Sequence, residues 1–271
     1  MKVVLFCGGY GMRMRDGISD TPKPMVQVGP RPLLWHVMRY YAHYGHKDFI
    51  LCLGYGGHHI KQYFLDYQET GSNDFVLHGG EVRLLTSDIA DWSITFVDTG
   101  LESPIGERLR RVRSLLEGEE MFLANYADVL TDAPIDAMVD QFAATDAVGQ
   151  LLAVPPQAAF HVVEVDEGNR IGAITALRDM RLQENGGYLV LRPEVFDYLP
   201  ENCDLVADAC AVLAKEGRLA AYPYSGFWQP ADTLKERIAL EAMYQAGSTP
   251  WMPWRTDLPT VAAPIMSAAA N

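Results

Sequence analysis

The residues best suited to chemistry lie in the first loop, Gly8-Gly9-Tyr10-Gly11-Met12-Arg13, with Lys23 following in Pro22-Lys23-Pro24-Met25. A glycine-rich loop after a first strand lets backbone N–H groups approach phosphate oxygens closely. Arg13 adds a planar fork for those oxygens and Lys23 a point charge. Pro22 and Pro24 stiffen the backbone on either side of Lys23. Two better-known loops are excluded. A dinucleotide fingerprint needs a third glycine where Met14 stands, and a Walker A loop needs Gly-Lys-Ser/Thr, which is absent. Asp128, after an apolar strand, sits where open α/β sheets bind ligands, and a carboxylate there suits Mg²⁺. Asp232, in Gly226-Phe227-Trp228-Gln229-Pro230-Ala231-Asp232-Thr233, reads as a helix N-cap, a metal ligand, or both.

The elements that must position these groups alternate. Val3–Phe6, Phe49–Leu53, Ile94–Val97 and Met121–Ala124 read as buried strands. Leu33, Val37, Tyr40, Tyr41 and Tyr44 mark a helix after Pro32. Further helices are expected over Ile60–Tyr67, along Leu109, Val112, Leu115 and Leu116, and from Thr233 to Tyr244. Alternation of this kind predicts an α/β fold with a mostly parallel sheet. After residue 148 the pattern changes. Leu151–Val154, Val162–Val165 and Tyr188–Leu191 are short strands with fewer helices between them, which predicts a smaller, β-rich part for a second substrate. Residues 1–254 are read as one domain, with a nucleotide-binding half (1–147) and an acceptor-binding half (148–247). The Pro- and Ala-rich stretch 255–271 is read as a mobile tail, with Trp251 and Trp254 packing on the body.

The chain of 271 residues carries a formal charge of −13, which disfavours nucleic acid and anionic membranes as partners. A site for anions in such a protein must be a local basic island. No apolar stretch approaches the roughly 20 residues of a membrane span. Cys7, Cys52, Cys203 and Cys210 lack metal or redox spacing. With no signal-peptide pattern at the N-terminus, the chain is expected to be cytoplasmic.

In combination these blocks resemble the sugar-phosphate nucleotidyltransferase family, and within it the glucose-1-phosphate cytidylyltransferases. The likeness runs from Met1 to about Trp254. It is densest in Gly8 to Gly29, Leu34-Trp35-His36, Lys47-Asp48-Phe49, Val97-Asp98-Thr99-Gly100, Arg108 to Val112 and Gly226 to Thr233. The resemblance implies a Rossmann-like core and in-line attack of an acceptor phosphate on the α-phosphorus of a nucleoside triphosphate, CTP favoured. It implies that Gly8, Gly9 and Gly11 cradle the nucleotide beside Met12, and that Arg108 approaches the base. Arg13 would hold the leaving pyrophosphate and Lys23 the α-phosphate, with Mg²⁺ on Asp128 and Asp232. Members of the family often form homo-oligomers, and one is expected here.

Departures from the family pattern cluster on the acceptor side. Arg178-Asp179-Met180 stands where Glu-Lys-Pro is usual, and Ala159-Phe160-His161 where Arg-Phe-Gly is usual. Leu205 to Val212 keeps nothing of its counterpart, while Asn185 with Gly186 and Gly187 still matches. Beside the nucleotide, Met12 replaces a threonine and Ala127 a glycine. Asn185, Gly186, His161 and Arg178 are therefore the expected acceptor contacts. Arg178 or Arg181 could replace the lost lysine, or either could be a solvated strand arginine. The expected activity is transfer of CMP from CTP to a phosphorylated small molecule other than glucose 1-phosphate. The alternatives are an authentic glucose-1-phosphate cytidylyltransferase and a catalytically weak nucleotide-binding regulator. Retention of both aspartates, Arg13 and Lys23 argues against the regulator.

Overall fold

The structure is a computed structural model that describes residues 1–9 and 21–255. The first strand, β1 (Lys2–Phe6), is apolar on both faces, as a strand with parallel neighbours on each side must be. A short antiparallel pair, β2 (Gln27–Val28) and β3 (Arg31–Pro32), leads into α1 (Leu33–His43). Then come β4 (Asp48–Leu53) and α2 (Gly57–Leu65), followed by a hairpin of β5 (Phe75–His78) and β6 (Glu81–Leu84). The first half closes with β7 (Ser93–Asp98), α3 (Ile105–Arg111), β8 (Phe122–Asn125), β9 (Val129–Thr131) and α4 (Ile135–Ala143). The second half opens on β10 (Gly149–Val154), the ribbon of β11 (His161–Val165) with β12 (Ile171–Ala176), and β13 (Glu184–Leu191). A π-helical turn (Leu205–Cys210) runs into α5 (Ala211–Lys215), then β14 (Leu219–Pro223), β15 (Trp228–Pro230) and α6 (Leu234–Gln245).

Seven strands make one sheet in the order β14-β10-β13-β8-β1-β4-β7. The pairs β8–β1, β1–β4, β4–β7 and β10–β14 are parallel, and β13 alone runs against both of its neighbours. The carboxyl ends of six strands therefore meet along one edge, and β13 brings its amino end to the same edge. The sheet runs unbroken from the first half of the chain into the second. One face packs on α1 and on Trp251, which is 1% exposed, and the other on α3, the π-helical turn and α5. Trp254 meets Trp35 edge-on at 5.9 Å and Trp251 stacks on Phe227 at 5.4 Å, so these two tryptophans do fasten the chain after α6 to the body. The residues expected as a mobile tail lie outside the described residues from 256 onward.

Two boundaries differ from expectation for local reasons. The stripe through Leu109, Val112, Leu115 and Leu116 divides into α3 and a 3-10 turn over Arg113–Leu116. Both pieces bury the same apolar face, so a helical spacing alone does not separate them. The final helix is capped by Thr233, not Asp232. The Thr233 hydroxyl accepts from the Glu236 N–H, and the Glu236 carboxylate accepts in return from the Thr233 N–H. The Asp232 side chain is thereby left for another partner.

Among the described residues no helix is long and apolar enough to cross a membrane.

Candidate active site

At the shared edge lies a cleft of about 1120 Å³, walled by Gly8 and Gly9 after β1, Asp128 after β8, Asn185 at the start of β13, and Lys23 and Asp232. The pairing of β15 with β9 explains how residues so far apart in sequence meet. Pro230 lies beside Val129, and the Ala231 N–H donates to the Asp128 carbonyl at 3.0 Å. Asp232 is thus held against Asp128 by backbone, independently of either side chain.

Lys23 completes the group. It opens a 3-10 turn, fixed by Pro22 before it and by hydrogen bonds from Met25 N–H to Pro22 O (2.8 Å) and Val26 N–H to Lys23 O (3.1 Å). Its ammonium donates to Asp128 Oδ2 at 2.5 Å and to Asp232 Oδ1. Burial pulls the Lys23 pKa down, but the two carboxylates outweigh it and the net shift is upward. Burial holds the Asp128 carboxyl above an ordinary aspartate's pKa, opposed by Lys23. An ammonium lies against it, and one-fifth of its side chain is exposed.

The turn that aims Asp128 is strained. Ala127 has φ of +62°, a left-handed conformation that costs a residue with a Cβ about 1–2 kcal/mol. The Asn125 side chain holds it there by accepting from the Ala127 N–H at 2.7 Å. Strain of this kind persists where surrounding structure fixes it, commonly beside a functional group.

Arg108 lines the cleft and also braces the fold. It is 4% exposed, and its guanidinium donates to the carbonyls of Leu53, Gly8 and Leu101 and to the Thr99 hydroxyl, at 2.8–3.2 Å. It borders the cleft, and its two terminal nitrogens fasten the ends of β1, β4 and β7 together. A Cβ on Gly8 would collide with this guanidinium, so glycine is required there for a second reason besides approach to a ligand. Arg108→Gln is expected to lower folding stability without nucleotide by about 2 kcal/mol, since buried carbonyls lose their donor. Denaturant unfolding checks this. Unchanged stability with a raised KM for the nucleotide would instead make Arg108 a base contact only.

The acceptor candidates divide. Asn185 borders the cleft, donating to the Tyr126 hydroxyl at 3.2 Å, and the Gly186 carbonyl accepts from the Trp228 indole at 2.8 Å. His161 and Arg178 do not line it. His161 opens the exposed strand β11, and Arg178 lies in a 3-10 turn after β12 with four-fifths of its side chain exposed, paired to Asp179 at 3.8 Å. His161 belongs to the β11–β12 ribbon and Arg178 to the turn that follows it. Tyr126, Glu184, Asp204 and Trp228 enter the lining without having been singled out. Tyr126 and Glu184 could have been found by applying the strand-end rule to the residues beside Asp128 and Asn185. Nothing local marks Asp204 or Trp228. Gly11, Met12 and Arg13 lie outside the described residues.

The expected basic island is not found among the described residues. Lys23 and Arg108 face Asp128, Glu184, Asp204, Asp232 and Glu236 across the lining. Among the described residues the lining thus carries more acidic than basic groups. Asp128 and Asp232 converge on a single cationic centre, and their hard oxygens are the donor type that Mg²⁺ takes. Among the described residues no cluster of three or more His, Cys, Asp or Glu could hold an ion alone. That fits Mg²⁺, which is usually bound by one or two carboxylates with waters and substrate phosphates completing its shell. The residues present therefore fit the ion.

A parallel α/β sheet with a glycine turn, a lysine and two carboxylates gathered at its carboxyl edge defines a protein built to handle phosphate esters of nucleotides. The chain belongs to the nucleotidyl transferase family, whose model matches residues 2–233, and it is a nucleotidyltransferase. It is 35% identical over 257 residues to a glucose-1-phosphate cytidylyltransferase of Salmonella typhi, covering 94% of this chain and all of that one. A Salmonella typhimurium protein of the same name is 35% identical over 261 residues, with the same coverage. Among solved structures, a UDP-glucose pyrophosphorylase in complex with UDP-glucose superposes with a TM-score of 0.67 at 17% identity, over 91% of this chain and 98% of that one. The last likeness shows the fold alone.

Proposed function

We propose that the protein transfers CMP from CTP to a phosphorylated small molecule and releases pyrophosphate, with Mg²⁺ as its cofactor. The observation that carries this is the convergence of Lys23, Asp128 and Asp232 at the edge where β1 and β8 end. An acceptor phosphate is already a nucleophilic anion, so no strong base is needed. The task is to hold two polyanions together and spread the charge that develops between them. In this reading Asp128 and Asp232 hold the ion, which neutralises phosphate oxygens when bound. Lys23 serves the α-phosphate. Gly8, Gly9 and Gly11 cradle the nucleotide beside Met12, and Arg13 takes the leaving pyrophosphate. Residues 1–147 bind the donor and 148–247 the acceptor. CTP is favoured by the likeness to the Salmonella cytidylyltransferases.

The acceptor is read as a compound other than glucose 1-phosphate. Arg178 and His161, which stand at the altered family positions, lie off the cleft lining, as does Gly186, and of the acceptor candidates Asn185 borders it. The second reading is an authentic glucose-1-phosphate cytidylyltransferase, favoured by relatives of that name matched over their whole length. Pyrophosphate release with each NTP against a panel of phosphorylated sugars, polyols and phosphonates decides between them. Glucose 1-phosphate is expected to show a kcat/KM at least ~10-fold below the best acceptor, a deficit of only ~1.4 kcal/mol in transition-state binding. Glucose 1-phosphate as the best acceptor would establish the second reading. Absence of pyrophosphate release with every pair would favour a regulator. Four cysteines, all free and buried, support a cytoplasmic home. Exposed Ile171 and Ile174 on the ribbon support a homo-oligomer.

A further inference from the structure

We propose that Lys23 is the resident counter-ion of the Asp128–Asp232 pair and yields that place to the divalent cation, so that loading the ion and freeing the lysine for the nucleotide are one exchange. This rests on the reading of Asp128 and Asp232 as the metal ligands. The Lys23 ammonium touches one oxygen of each carboxylate, so it sits between them, at the point where a shared ion would bind both. An ammonium and a divalent cation at one point repel each other, and both need the same oxygens. One of them must leave.

The structure says which can move. Asp128 follows a strained, hydrogen-bonded turn, and Asp232 is tied by backbone to Asp128 through Ala231. The Lys23 main chain is pinned too, by Pro22 and the bonds of its 3-10 turn. Its four-carbon stem carries the ammonium on rotatable bonds beyond that pinned point, and Gly8 and Gly9 border the same cleft. Lys23 therefore swings while its backbone stays. Without the ion, its charge offsets the cost of keeping Asp128 ionised at a mostly buried position. With the ion in place that duty lapses, and the ammonium becomes available to phosphate.

The exchange makes Lys23 a competitor of the metal. Mn²⁺ binding to the full chain without nucleotide, followed by the electron paramagnetic resonance of free Mn²⁺, tests it. Lys23→Met is expected to bind Mn²⁺ at least ~10-fold more tightly than the unsubstituted protein, because the competing charge is gone. Lys23→Gln, which keeps a hydrogen-bond donor to support folding, is expected to tighten in the same direction. Lys23→Arg, which keeps the charge, is expected to stay within about threefold. Asp128→Asn identifies the site by weakening binding. If Asp128→Asn weakens binding but neither neutral variant tightens it, the metal site stands and the exchange is overturned. If Asp128→Asn leaves Mn²⁺ binding unchanged, the assignment of the ligands falls and the exchange with it.

Discussion

Lys23→Ala is expected to lower kcat by roughly 10²–10³ while leaving nucleotide affinity largely unchanged. A preorganised charge that meets the phosphoryl group as its charge develops is typically worth that much, and its loss appears in kcat more than in ground-state binding. The position of Lys23 supports such a role. It is carried on a stiff turn between two prolines, and its side chain is 16% exposed, so little water screens it. Calorimetric titration of the nucleotide beside steady-state pyrophosphate release separates the two quantities. Near wild-type turnover would remove Lys23 from the chemistry. A loss confined to KM would make it a binding residue only.

Asp128→Asn is expected to reduce activity by about 10³ at ordinary Mg²⁺, with part of the loss recovered as Mg²⁺ is raised. Asp232→Asn is expected to do the same more weakly, because its side chain is 37% exposed against 20% for Asp128 and solvent can replace part of its role. Asparagine keeps the shape and removes the charge, so the readout is the Mg²⁺ dependence of kcat/KM. The capping geometry sharpens the comparison. Since Thr233 and Glu236 close the start of α6, Asp232→Asn leaves that helix intact, and a lost activity cannot be blamed on a lost cap. Full activity in both variants would remove the metal-site assignment.

How much of this was legible before the structure depended on whether the signal was local. The strands β1, β4 and β8 stand out as short apolar runs, because burial on both faces leaves no polar alternation, while β7, at the sheet edge, is only partly buried. Asp128 was found by the rule that ligands gather at strand ends. The hairpin of β5 and β6 was not anticipated, although its signal is present. Two apolar-containing runs flank Gly79-Gly80, both with positive φ, the pattern of a tight hairpin turn. The π-helical turn over Leu205–Cys210 has no such signal, since its shape is set by packing on α3. Arg108 shows the limit most clearly. Its residue type and spacing suit a ligand contact and a buried brace equally, and only the direction of its side chain decides between them. The same holds for His161 and Arg178. His161 falls at the start of a strand near the expected one and Arg178 in a 3-10 turn instead of a strand, and that neither lines the cleft is something no short motif encodes.

The meeting of Lys23 with Asp232 spans 209 residues of chain. During synthesis the lysine emerges early, and the second carboxylate is added only near the close of the described chain. At roughly 5–20 residues per second, that interval is on the order of 10–40 s. Once residue 128 has emerged, about halfway through that interval, β1 and β8 can pair and Asp128 can face Lys23, in a nascent chain that still lacks the β15 strand and Asp232. The pair of carboxylates that meets Lys23 is therefore complete only late in the growth of the polypeptide. A chain halted before residue 232 would carry Gly8, Gly9, Lys23 and Asp128 without the second carboxylate that completes the group.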